Sequence, residues 1–239
     1  MNNRYSTFIL FISLFWGTSA FALKESLDNT YIDNMPTIKA NSKVLVMPLN
    51  ANKLLKVGEI EAVEKALIDQ LKAMSLKARG AKLENDQDKF DYLLLTSAFN
   101  AKQETAIKQK SQYAAIIGQH QSLVILPSVV QRVADMKKNS VSWDGNNVTI
   151  MRVGGIRSMV PMEWTGKRPV LSLRLEVYDS NGLLLMTTRG GISMPDYAHM
   201  STSEFRRKDD LFERKKDKKY LAKGVKIASM PIKKKLKIK

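Results

Sequence analysis

The chain has 239 residues, with 39 Lys and Arg against 23 Asp and Glu, and no Cys. A net charge of +16 at 44% apolar content describes a folded, strongly basic chain and excludes overall disorder. The lack of Cys excludes disulfides, thiolate metal sites, Cys nucleophiles and a lipid-bearing N-terminal Cys, and two His, His120 and His199, leave little material for metal or acid–base chemistry.

Residues 1–22 read as a secretory signal peptide. Arg4 supplies the positive start, 8–16 is an apolar run broken by Ser13, and Ala20-Phe21-Ala22 offers small residues for cleavage after Ala22. The run is shorter than the roughly 20 residues that span a bilayer. Export to a bacterial periplasm is the expected address, and it disfavours intracellular nucleic acid as the partner.

Residues 23–42 form a polar lead-in. Residues 43–49 (KVLVMPL) read as a buried strand with Pro48 at its exit. In 58–74, Ile60, Val63, Leu67, Leu71 and Met74 recur at helical spacing, and Glu61 and Lys65 stand i,i+4 on the wet side. Residues 76–83 offer a short second strand. Residues 88–99 are apolar without a deciding period, so helix and strand both stay open. Residues 104–118 predict a helix with Gly118 as its stop.

The second half is rich in β-branched residues. Residues 123–133 (LVILPSVVQRV) and 148–153 flank a turn signal at 142–146 and read together as one long hairpin. Leu171, Leu173, Leu175 and Val177 alternate with polar residues, and a turn at 179–182 returns the chain antiparallel through 183–188. The stretch 204–239 carries 15 Lys and Arg against 5 acids, a net of +10 that leaves only +6 elsewhere. Within it Leu221, Val225, Ala228, Ile232 and Leu236 keep helical spacing, with Pro231 as an expected break or kink. The order of elements predicts an α+β (α/β) sandwich: a mixed sheet with an initial β-α unit, two later antiparallel hairpins and a C-terminal helix. The domain spans 43–200, and the basic connector and helix of 201–239 pack on or near it.

The opening strand Lys43-Val44-Leu45-Val46-Met47-Pro48-Leu49, the helix after it, the LVILP segment 123–127, the Tyr178-Asp179 turn with Asn181-Gly182, and the closing basic helix resemble one family of bacterial envelope proteins. That family includes the curli secretion subunit CsgG, the penicillin-binding-protein activator LpoB, the exopolysaccharide protein PelC and the N-terminal domain of TolB. The chain departs from several members in lacking the lipidated Cys and any pair of long alternating segments suited to a transmembrane hairpin. The resemblance implies a non-catalytic periplasmic scaffold or accessory subunit that works by binding.

Motifs for chemistry are sparse. Neither His has a supporting pattern, no Gly-x-Ser-x-Gly elbow is present, and Gly154-Gly155 and Gly190-Gly191 are not followed by the Lys of a phosphate loop. Asp209, Asp210 and Glu213 are flanked by basic residues that pair with them more readily than a cation would. No catalytic residue, cofactor site or metal site is assigned. Two features point to binding. Met159, Met162 and Trp164 form an apolar segment suited to anchoring a partner protein, unless they cap the core. Arg206, Arg207, Lys208, Arg214, Lys215, Lys216, Lys218, Lys219, Lys233, Lys234 and Lys235 suit an anionic lipid, lipopolysaccharide or polysaccharide, unless they only solvate the surface. The expected function is a non-catalytic periplasmic adaptor or accessory subunit of an outer-membrane or surface-assembly system. The alternative is a small exported enzyme acting on an anionic envelope polysaccharide or peptidoglycan.

Overall fold

Three parallel strands and an antiparallel run share one sheet. The structure, a computed structural model, describes residues 30–32, 35–97, 104–149, 165–198, 205–236 and 238. The residues read as a signal peptide lie outside it. The described strands are β1 (Thr30–Tyr31), β2 (Lys43–Val46), β3 (Lys77–Gly80), β4 (Leu123–Lys137), β5 (Ser140–Trp143), β6 (Asn146–Thr149), β7 (Gly166–Asp179), β8 (Leu184–Ser193), β9 (Asp196–Ala198) and β10 (Phe205–Arg207). The described helices are α1 (Val57–Ala73), α2 (Asp86–Leu95), α3 (Glu104–Ile117) and α4 (Lys215–Lys235). The sheet runs β1-β8-β7-β4-β2-β3, with β5 paired to β4 and β6 to β5, and β9 and β10 pair separately. The fold is α+β with a mixed sheet and a C-terminal helix.

Strand β2 is parallel to β3 on one side and to β4 on the other. Its alternation decides the two layers. Val44 and Val46 face α1 and α4, with Val63, Leu67 and Leu71 from α1 and Leu221, Val225, Ala228 and Ile232 from α4. Leu45 and Met47 face the opposite side, where Tyr92 of α2 and Ala114 of α3 pack. The lead-in is stitched to this unit: Ile32 N–H donates to Leu185 C=O, and Ile38 N–H to Leu236 C=O.

The undecided segment 88–99 is helical through Leu95. Asn85 caps it, its side chain accepting from Asp88 N–H at 2.7 Å. Helix α1 begins where Glu59 reaches back to Lys56 N–H at 2.8 Å.

The long hairpin expected from 123–133 and 148–153 is corrected. Strand β4 pairs along its length with β7, Leu123 opposite Asp179 and Met136 opposite Gly166. A turn at Lys138-Asn139, both at positive φ, sends the chain into β5, and Asp144-Gly145 closes β5 on β6. Residues 150–153 lie outside the described residues. Pro127 is tolerated inside β4 because its carbonyl side faces Asn50, whose N–H it accepts, so its missing donor does not interrupt the β7 ladder.

One further expectation changes at the C-terminus: Pro231 does not break the helix. Helix α4 starts at Lys215, and it continues through Pro231 to Lys235. Its apolar face is buried on the sheet of its own chain, so the stretch is a packed element. It crosses β8 at closest approach where Gly190 and Gly191 meet Gly224. A methyl group on Gly190 would collide with the Gly224 carbonyl, and one on Gly224 with the Gly191 carbonyl. The glycine pair serves this crossing. On the other side of β8, Trp143 covers Gly191 and donates from its indole N–H to Leu171 C=O at 3.1 Å.

Candidate binding surfaces

The basic residues take different places. Helix α4 presents Lys215, Lys216, Lys218, Lys219, Lys223, Lys226, Lys233, Lys234 and Lys235 to solvent. The helical repeat puts Lys215, Lys219, Lys223, Lys226 and Lys233 on one line, opposite the buried Leu221, Val225, Ala228 and Ile232. At 1.5 Å per residue that ridge runs about 27 Å. The sequence reading did not single out Lys223 and Lys226. The acid within the helix, Asp217, is buried and held by Lys208 Nζ at 2.6 Å, so Lys208 serves an internal pair. Arg206 and Arg207 sit exposed on β10, Arg206 opposite Tyr197, and the Arg214 guanidinium lies 5.4 Å from the Tyr197 ring. Lys235 lies 4.8 Å from the Tyr31 ring.

The N-terminal half of this arrangement works against the helix's own stability, whereas Lys233, Lys234 and Lys235 favour the last turn. Lys215 and Lys216 occupy the first turn, where the helix dipole disfavours cations, and Lys215–Lys219 and Lys219–Lys223 are like-charge i,i+4 pairs. Each such pair costs a few tenths of a kcal/mol. Burial of the opposite face offsets this.

A second surface lies where the chain leaves β2 and β3. After β2 it turns to α1 on one face of the sheet, and after β3 to α2 on the other. This divergence opens a groove of about 900 Å³ at the carboxyl ends of the parallel strands. Val57, Phe90 and Leu94 form its lips and are 74%, 61% and 54% exposed. Leu55, Ile60, Leu83 and Leu93 lie deeper, and Lys53, Lys82, Lys89 and Glu61 stand around it. Its wall is tightly bonded. Leu49 N–H donates to Glu64 at 2.7 Å, Tyr92 O–H to Pro48 C=O at 2.8 Å, and Asn50 Nδ2 to Leu93 C=O at 2.8 Å and Thr96 Oγ1 at 2.9 Å.

A buried ionic cluster sits between α3 and β7. Lys110, 2% exposed, donates to both oxygens of Glu176 at 3.2 Å. Arg174 reaches Glu176 Oε1 at 2.6 Å, and Tyr178 O–H donates to Oε2 at 3.2 Å. Burial, then the neighbouring Glu176 charge, pushes the Tyr178 phenol far up, so it acts as a fixed donor. Burial likewise raises Tyr92 well above the ordinary phenol range. The cluster is a structural network, with Arg174 Nε left without a partner among the described residues.

Met159, Met162 and Trp164 lie outside the described residues, as does His199. His120 is exposed in the turn after α3. Asp209 and Asp210 are exposed; Asp209 C=O accepts from Lys56 Nζ, and Asp210 Oδ1 accepts Phe212 N–H at 2.7 Å. Among the described residues no cluster of three His, Asp or Glu is placed to hold a metal, and no helix is long and apolar enough to cross a membrane.

No protein-family model and no curated protein matches the chain. Solved structures similar to it include two crystal forms of a PelC dodecamer from Paraburkholderia phytofirmans. Both are 14% identical, with TM-scores of 0.40 and 0.38, over 85% of this chain and 96% of theirs. A neuraminyllactose-binding hemagglutinin homolog from Helicobacter pylori is 11% identical, with a TM-score of 0.37, over 85% of this chain and 91% of its own. These values describe a loose, PelC-like likeness in fold, and no functional argument rests on them.

Proposed function

We propose that the chain is a non-catalytic accessory protein of the bacterial periplasm that attaches to an anionic envelope surface through the lysine ridge of α4. The observation that carries this reading is the ridge itself: one sign of charge, opposite a buried face, with like charges side by side in its N-terminal half. Such a surface gathers counter-charges, which suits the phosphates of a lipid layer or lipopolysaccharide. The signal-like residues 1–22 support the periplasmic address. A partner protein completes the adaptor role, with Met159, Met162 and Trp164 as its proposed anchor.

The test is co-sedimentation of the purified protein with vesicles containing phosphatidylglycerol, against neutral phosphatidylcholine vesicles, over a range of salt. Each lysine near an anionic surface contributes about 1 kcal/mol. The double variant Lys219→Glu, Lys226→Glu is therefore expected to bind about thirtyfold more weakly or worse at low salt. High salt should narrow the difference through screening. Equal retention of parent and variant at every salt concentration would end the attachment reading.

A further inference from the structure

We infer that the groove at the ends of β2 and β3 is a binding site for the acyl chain of a single-chain anionic amphiphile. Three observations converge on it, and none depends on the α4 ridge.

The first is topology. Loops from adjacent parallel strands diverge to opposite faces here, which leaves a crevice without needing any side chain to move. At about 900 Å³ it lies within the range of small-molecule sites.

The second is the kind of surface it offers. Phe90, Leu94 and Val57 hold large apolar area out to water around a concave apolar floor, and such exposure is uncommon without an occupant. The polar groups of the wall are already bonded to each other: Asn50 to Leu93 C=O and Thr96, Tyr92 to Pro48 C=O, Glu64 to Leu49 N–H, and Asn52 Nδ2 to Val129 C=O. A peptide laid here would bury backbone N–H and C=O groups against a wall with little left to answer them. A hydrocarbon chain brings no such groups. A bilayer surface would rest on the lips and leave the concave floor unfilled. The committed hydrogen bonds also keep the wall in place before binding, so little ordering is required.

The third is charge. Lys53, Lys82 and Lys89 come from three different segments and stand exposed around the groove. Of the two acids there, Glu64 is tied to Leu49 N–H and Glu61 is exposed. The rim therefore favours an anionic head group.

The experiment is titration of the purified protein with oleate below its self-association concentration, beside oleyl alcohol, phosphatidylglycerol vesicles and an acidic amphipathic peptide. A single saturable oleate site is expected. Leu94→Glu should weaken it at least tenfold, and Lys82→Glu with Lys89→Glu about tenfold, with oleyl alcohol binding more weakly than oleate to the parent. These side chains are exposed, so the variants should unfold at the parental midpoint. The α4 variant Lys219→Glu, Lys226→Glu should keep oleate affinity within twofold, which separates this site from the proposed attachment surface. No saturable oleate binding, or oleate affinity unmoved in a natively folded Leu94→Glu protein, would overturn the inference. So would binding of the peptide or the vesicles alone.

Discussion

At the scale of single residues the molecule concentrates its electrostatic risk at Glu176. Lys110, Arg174 and Tyr178 all converge on that carboxylate. The partners are not equivalent. Replacing Glu176 by Leu leaves Lys110 buried without a counter-charge, a loss of about 3–5 kcal/mol. Replacing Lys110 by Met leaves Glu176 with Arg174 and Tyr178 and should cost about 2 kcal/mol. Denaturant unfolding of the two variants checks the order; a more severe Lys110 variant would contradict it. Tyr178 gives the region a pH dependence. Its phenol is raised in the folded state by burial and by Glu176. The stabilisation from keeping it protonated is complete below the unfolded value of about 10 and is lost as pH rises from there towards the folded value. Tyr178→Phe should be less stable at neutral pH, by about 1 kcal/mol for the lost hydrogen bond. It should also lose stability less steeply above pH about 10. An unchanged alkaline slope would show that other groups dominate there.

At the scale of elements the crossing of α4 over β8 is the tightest joint. Gly190 and Gly224 bring two backbones together with no room for a methyl group. Gly190→Ala is therefore expected to destabilise by at least about 1–3 kcal/mol through displacement of the helix, and a thermal shift assay reads it directly. An unchanged midpoint would mean that the helix gives way freely. The elements also show what the sequence carries openly. Helix α1 is legible because Val63, Leu67 and Leu71 repeat at its own period, and β7 because Leu171 to Val177 alternate. Helix α2 is not, because Tyr92, Leu93, Leu94 and Leu95 form an unbroken apolar run and the deciding signal is the Asn85 cap. The β4–β7 pairing is not legible either. Turn signals mark local hairpins, whereas this ladder joins strands far apart in the chain. The role of Gly190-Gly191 is set by a helix far along the chain, so no local pattern announces it.

At the scale of the whole molecule the two binding surfaces differ in how far the sequence reveals them. The basic surface announces itself by charge. The sequence does not say which lysines line up, and it does not separate Lys208, which pairs inward with Asp217, from Lys223 and Lys226, which complete the ridge. The groove is invisible in the sequence because its lips come from the start of α1 and from α2, which meet only after the sheet forms. The central claim is that the ridge is maintained for binding and not for stability, and those two roles predict opposite signs. The most direct measurement takes parent and Lys219→Glu, Lys226→Glu proteins through thermal unfolding and phosphatidylglycerol vesicle binding side by side. A glutamate at 219 faces Lys215 and Lys223, and one at 226 faces Lys223, so like-charge pairs become opposite ones and stability should rise by about 0.5–1 kcal/mol. The same change should weaken vesicle binding about thirtyfold or more. A variant that unfolds earlier than the parent while binding vesicles equally well would contradict the account.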